Sequence, residues 1–263
     1  MSNYFDPFAF PRAKVERADS HLKHLNKLFD EWAAHTQVRL QAELNDEGTY
    51  WIIRLWKPPP PPPLVTIMLG EAFHQLRSCL DHAAFAINRA LGKEGLSPHQ
   101  VAFPVGRDQT AFDDECTRHV AKNAMIVTHF REMQPYCDGH GDVATSPLWV
   151  LHRADIVFKH RYEAMPDLGM FFDVVPDDLI LLQPVGTKVD DGEPFAKTRV
   201  GPDIETYLKT SIPRLRKALT YDGVGSLDAS IQHRVLEHVR DNLIPRIESL
   251  YSQILQHDAA SQS

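Results

Sequence analysis

The sequence predicts an α+β fold, mostly α, with a helical core and two β-hairpin elements. Three observations predict it. Apolar residues recur at helical spacing over residues 11–34 and 65–91. Between them the period drops to two, over residues 37–44 and 50–56, around the polar turn Asn45-Asp46-Glu47-Gly48. After residue 200 the helical period returns, over 203–219 and again from Asp228 to about Gln256. A chain of 263 residues with 43% apolar side chains can bury one sizeable core, so 1–263 is read as a single domain.

Residues 11–34 predict the first helix, with Leu22, Leu25, Leu28, Phe29 and Trp32 on its apolar stripe. The alternating stretch to residue 56 predicts a hairpin, completing an N-terminal part of 11–56. The prolines 58–63 predict a stiff polyproline II strap; a structural strap is favoured over a ligand for an SH3 or WW domain. The strongest helix spans 65–91, stopped by Gly92 and Gly95. A further helix is expected over 110–131, and another from Ser146 as cap, with Pro147 at its first position, to about Arg161. Residues 65–162 thus form the helical core, joined by C-terminal helices. Strands are expected at 169–175, 179–184 and 193–200, and a helix at 203–219. Asp228 starts a final helix to about Gln256, bent or broken near Pro245.

Several function classes are disfavoured. A formal net charge of −7 argues against a protein whose main task is to coat nucleic acid, although a local basic patch remains open. Cys79, Cys116 and Cys137 are odd in number and widely spaced, so neither a disulfide framework nor a zinc knuckle follows. The start MSNYFDPFAFPRAK lacks the basic and apolar regions of a signal peptide, and no apolar run approaches the roughly 18 residues of a membrane span. A cytoplasmic protein without a membrane partner is the expectation. There is no Walker loop, no dinucleotide-binding glycine pattern and no nucleophile elbow. The 14 histidines read mainly as surface composition. Glu71-x-x-His74 matches half of a di-iron carboxylate site but has no second copy, and the pairs His21/His24 and His233/His238 stand alone. No metal and no cofactor is expected. Asp155 and Lys159, with His152 beside them, read as a solvated ion-paired face.

The helix at 65–91 carries the candidate site. On a helical wheel Ala72, Leu76, Cys79, Leu80, Ala83, Ala86 and Ile87 share one side, with Phe73, Ala84 and Leu91 at its edge. The opposite side carries Glu71, His74, Gln75, Ser78, Asp81, His82, Phe85 and Arg89, with Arg77 and Asn88 at the flank. It has no lysine, unlike an ordinary solvated face. Arg77 and Asp81 stand at i,i+4, as do Ser78 and His82, so an ion pair is available.

Two resemblances meet at these residues. Gly70-Glu71, His74, Leu76-Arg77-Ser78, Leu80-Asp81-His82, Phe103-Pro104, Gln134-Pro135-Tyr136 and Lys159-His160-Arg161 resemble, in order, a family of uncharacterised bacterial and phage proteins. That match spans roughly residues 64–162 and implies no function. Arg77 and His82, with Ser78 directly after the arginine, resemble the Arg-x(4–6)-His motif of the HEPN superfamily of helical, often dimeric, metal-independent ribonucleases. The same spacing recurs at Arg17/His24 and Arg153/His160, and context favours the middle pair: a strong helix, an adjacent polar face and the first resemblance.

The HEPN resemblance implies an RNA-directed homodimer, a metal-independent endoribonuclease of toxin or phage-defence type. His82 would exchange the proton, Arg77 would brace the phosphate, and Asp81 and Ser78 would support them. Glu71, His74, His160 and Arg161 would be supporting binding residues, and a symmetric dimer would bring two sets to one interface. The alternative is a non-enzymatic helical binding or structural protein, whose polar helix face is a packing network or a docking surface.

Overall fold

The computed structural model describes residues 6–36, 39–57, 59–92, 95–139, 141–160, 167–172, 177–182, 192–201, 203–211, 215–221 and 224–261. Helix α1 (Ala9–His35) covers the first predicted helix. The hairpin follows as β1 (Arg39–Leu44) and β2 (Tyr50–Trp56), antiparallel, with Ala42 opposite Ile53. Its turn is built by Asn45, whose side-chain oxygen accepts from the amides of Thr49 at 2.8 Å and Tyr50 at 2.9 Å. Gly48 completes the turn at φ 67°, a conformation that glycine adopts without strain. Pro59 and Pro60 of the strap are exposed and Pro61 is buried, while Pro58 lies outside the described residues. Pro63 is already helical, in the first turn, where the N–H it lacks would have no partner within the helix.

Helix α2 (Pro63–Ala90) ends where Gly92 takes φ 59°. The stretch expected as one helix over 110–131 is two: α3 (Gln109–His119) and α4 (Ala124–Arg131). Each has its own cap. Asp108 accepts from Ala111 N–H, and Asn123 from Met125 and Ile126 N–H. At the break Val120 is extended, and Val120 and Ala121 are both buried. Helix α5 (Pro147–His160) starts where expected. The main-chain oxygen of Ser146 accepts from Val150, but its buried hydroxyl has no hydrogen-bond partner among the described residues, so it is not the side-chain cap that was expected.

Strands β3 (Asp167–Phe172), β4 (Leu179–Leu181) and β5 (Pro194–Arg199) lie at the three expected places; residues 173–175, 183 and 184 fall outside the described residues. The expected helix over 203–219 is corrected. Helix α6 (Ile204–Ser211) is short, and Leu215–Tyr221 is strand β6, paired antiparallel with β3. Pro213 between them cannot donate to a helix and disfavours helical backbone before it. After β7 (Gly225–Ser226), helix α7 (Ala229–Glu237) leads through a π-helical turn (His238–Leu243) into α8 (Ile244–Ser261). The chain does not break at Pro245. The wide turn lets Ile244 N–H bond to Val239 O just before the residue that lacks a donor.

Where the sequence reads as one domain over 1–263, contacts gather in two compact units. The first comprises Met1–Asn26, Thr66–Ala164 and Ala229–Ser263 and is helical. All seven residues assigned to the inner side of α2 are buried, as are Phe73 and Ala84. Helices α2 and α5 approach closely at Gly70, where an added Cβ would lie 3.2 Å from Phe158 Cβ; the Phe73 and Phe158 rings meet at 6.4 Å.

The second unit comprises Lys27–Val65 and Met165–Asp228. It holds a four-stranded antiparallel sheet in the order β1-β2-β5-β4 and a three-stranded sheet in the order β3-β6-β7. Ile53, Leu55, Leu179, Phe195 and Ala196 on one face of the first sheet form a core with Tyr207 of α6. The architecture is α+β and mostly helical. No helix among the described residues is long and apolar enough to cross a membrane.

Candidate functional site on the polar face of helix α2

Arg77, predicted at the flank, turns inward: its side chain is 11% exposed. Its Nη1 donates to Asp81 Oδ1 at 2.7 Å, one helical turn away, and its Nη2 donates to the carbonyl oxygen of Phe103 at 2.8 Å. Asp81 Oδ1 also accepts from the amide of Phe103 at 2.9 Å. One ion pair therefore grips both main-chain groups of one residue, and Phe103 is itself buried. The i,i+4 pairing is legible in the sequence; the third partner is not.

Two further side chains do the same work nearby. Asn88 donates to Leu96 O at 2.9 Å and accepts from Leu96 N–H at 2.6 Å. Gln134, fully buried, accepts from Gly106 N–H at 2.9 Å and donates to Pro104 O and Phe130 O at 3.0 and 2.9 Å. Residues 95–106 carry little regular structure of their own, so their main-chain groups need side-chain partners. Asn88, Arg77, Asp81 and Gln134 supply them. The structure thus joins Arg77, Asp81, Phe103-Pro104 and Gln134 in one clamp. The sequence holds no signal for the roles of Asn88 and Gln134 beyond amide side chains on a helix flank and in a polar turn.

The other candidates are dispersed. His82 is exposed and its ring makes no hydrogen bond among the described residues. Partial burial, helped by the Lys14 ammonium and opposed by Asp81, holds its pKa below the usual histidine value. Ser78 is half-buried and its hydroxyl makes no hydrogen bond among the described residues. The Glu71 carboxylate lies 3.5 Å from His21 Nδ1, whereas His74 Nδ1 lies 3.1 Å from Asp155 Oδ1. The Glu-x-x-His pair therefore points to two different neighbours. Among the described residues no group of three or more metal-ligating side chains comes together. His160 ends α5, and Arg161 lies outside the described residues.

The expected solvated face at Asp155 and Lys159 is corrected. The Asp155 side chain is 6% exposed, and its second oxygen takes the Lys159 ammonium at 2.6 Å. Packing of α5 on α2 removes it from water, and His74 with Lys159 supplies the hydrogen bonds that a buried carboxylate needs. Cys79 and Cys116 are buried, and burial pushes both thiols up to about 12, so neither is an activated nucleophile. A small depression lined by Ala84, Ile87, Leu91, Val101, His119 and Phe130 is too shallow to hold a substrate.

His152, half-buried against Trp149, gives the first unit a pH dependence. Burial first, then the nearby Arg77 charge, pushes its pKa down to about 4. Unfolded, the ring protonates near pH 6.5. Below that pH the unfolded chain binds a proton that the folded chain refuses, so stability is full above about pH 6.5 and falls towards pH 4. The expected loss is about 2–3 kcal/mol, since each tenfold difference in proton affinity between the two states is worth roughly 1.4 kcal/mol. Urea unfolding at pH 7 and pH 4.5 should show this loss for the natural chain. His152→Gln should lose that much less over the same range; equal losses would remove His152 as the cause.

No family model, no curated protein and no solved structure matches the chain. The resemblances to the phage family and to HEPN proteins therefore rest on the quoted residues alone. What fold and site define is a class: an α+β chain whose polar helix face clamps a neighbouring main chain.

Proposed function

We propose that this chain is a non-enzymatic binding protein in which the polar face of α2 is a packing network holding residues 95–106 in place. The observation that carries this reading is the double grip on Phe103. An arginine that braces a phosphate must present free donors to it. Here each terminal nitrogen of Arg77 already donates one hydrogen bond within the protein, and with the side chain 11% exposed its remaining N–H groups are nearly sealed from water. Ser78, Asp81 and His82 then share a helix face without sharing a task.

A second reading, the HEPN-like metal-independent endoribonuclease acting as a homodimer on RNA, is favoured by His82. Its ring is exposed, and with its pKa below the ordinary value it is neutral at pH 7, the state a general base requires. Arg77 would have to leave Phe103 for that chemistry.

The test is RNA cleavage with chelator present, measured for the natural chain and for His82→Ala beside their melting curves. The binding-protein reading expects no cleavage by either and a change in stability within about 0.5 kcal/mol, as for an exposed side chain. Chelator-resistant cleavage that disappears in His82→Ala, at unchanged stability, would overturn it in favour of the nuclease.

A further inference from the structure

The four-stranded sheet of the second unit closes one face on its core; its other face has a composition that no single stretch of the sequence displays. The register places Arg39, Gln41 and Glu43 of β1 opposite Trp56, Arg54 and Ile52 of β2. Tyr50 and Ile52 face Arg199 and Lys197 of β5, and Ile180 of β4 faces Lys197. Directly opposed residues share a face, so these side chains form one continuous surface. Trp56 is 39% and Ile180 44% exposed; Arg39, Gln41, Glu43 and Arg199 are exposed as well.

We propose that this face binds single-stranded nucleic acid. The proposal is independent of what the α2 face does, because it uses other residues in the other unit.

Charge is the first reason. The chain as a whole is acidic, at −7, yet this face carries four cations and one carboxylate. The carboxylate, Glu43, is held by Arg54 at 2.7 Å. Arg39, Lys197 and Arg199 have no carboxylate partner among the described residues. Three cations without a carboxylate partner among the described residues, spread over the outer face of one sheet, suit a phosphate backbone.

The aromatic side chains are the second reason. Tyr50 and Trp56 stand at the two ends of β2, six residues and roughly 20 Å apart at the usual strand rise. The Trp56 ring lies against Gly192, where an added Cβ would be 3.0 Å from ring carbon Cη2. Gly192 sits at φ 77° and bonds its amide to Leu55 O at 2.8 Å, so the ring rests on a fixed main chain. A braced, part-exposed indole on the same face as these cations is a stacking platform for an unpaired base. Lys197 sits 4.7 Å over the Tyr50 ring, which fixes the ammonium on the same surface. The aromatic side chains stand on a sheet face, and stacking on such side chains is how unpaired bases are held, which favours single strands over duplex.

The experiment is fluorescence anisotropy of labelled 16-nucleotide oligouridylate and oligothymidylate with the full chain, chelator present, between 50 and 200 mM salt. Saturable binding that weakens with salt is expected. Trp56→Ala should weaken it about tenfold or more. Trp56→Phe, which keeps a ring, should retain most of the affinity and guards against a folding artefact. Changing Lys197→Gln and Arg199→Gln together should reduce the log–log salt slope by about 1.4, two phosphate contacts at roughly 0.7 each. Binding of either oligonucleotide with these signatures supports the proposal, and a preference between them names the sugar. No saturable binding, affinity indifferent to Trp56→Ala, or tighter binding of polyglutamate or of anionic vesicles would overturn it. Cleavage of the bound RNA would count against the non-enzymatic reading of the helical unit and leave this face standing.

Discussion

Asp81→Ala is expected to lower the unfolding free energy by about 2–4 kcal/mol. Two losses combine. The buried amide of Phe103 loses its one acceptor among the described residues, and an unsatisfied buried donor costs roughly 1–3 kcal/mol. Arg77, nearly sealed from water, loses its counter-charge and, among the described residues, keeps the Phe103 carbonyl alone. Asp81 is itself 35% exposed, so water entering the vacated space softens the penalty below that of a fully buried pair. Asp81→Asn keeps an acceptor for the Phe103 amide and removes only the charge, so it should cost about half as much. Chemical denaturation of both variants checks the order. A loss below about 1 kcal/mol for the alanine would mean that the clamp does not hold the fold. The same logic decides which substitutions speak to function. Loss of any activity in Arg77 or Asp81 variants would be confounded by damage to residues 95–106, whereas His82 makes no hydrogen bond among the described residues whose removal would disturb the fold.

The extent to which the sequence reveals this molecule follows from how local each interaction is. The inner face of α2 is read correctly because one helix, one period and one core suffice to define it. The hairpin is equally local, with Asn45 and Gly48 at the turn. What pairs with β2 on its other side is not local: β5 lies about 140 residues on, and nothing in either strand names the other. The break at Val120 is hidden because apolar spacing runs through it; only the cap at Asn123 marks it, and an asparagine in mid-helix is not by itself a stop. Residues 215–219 read as helix because their period is ambiguous, and pairing with β3 decides them. At the candidate site the sequence brings out Arg77 with Asp81, since i,i+4 spacing is a property of the helix alone. It cannot show that the pair faces the main chain of Phe103 rather than a substrate. Nor can it show that Asp155 is buried, because that burial belongs to the contact between α2 and α5. The outer sheet face needs the same kind of information: its cations come from β1, β2 and β5, and only the register assembles them.

Gln134→Ala should be among the most damaging single changes, at about 3–5 kcal/mol. All three polar hydrogen bonds of its side chain are made to buried main chain, and it is fully buried itself. Phe130 O keeps a second donor, the amide of Met133 at 3.2 Å. The Gly106 amide and Pro104 carbonyl have no such reserve among the described residues. Residue 106 cannot shift to find one: an added Cβ there would already lie 2.3 Å from Phe112 N, so the two segments are in close contact. Two orphaned groups at roughly 1–3 kcal/mol each, with the cavity left by the shortened side chain, give the expected loss. Gln134→Met separates the two causes. It refills most of the volume with no polar atom, so it should recover the cavity part, about 1 kcal/mol, and leave the hydrogen-bond part. Gln134→Glu retains an acceptor for Gly106 but aims oxygen at two carbonyls, so it should be at least as damaging as alanine at neutral pH and partly recover when protonated. Hydrogen exchange gives the local readout: the Gly106 amide should lose protection in the alanine and methionine variants and keep more of it in the glutamate. If alanine and methionine are equally mild, within about 1 kcal/mol of the natural chain, residues 95–106 are held by packing alone. The polar residues of α2 would then need another explanation, and a ligand-binding role for Arg77 would return to first place.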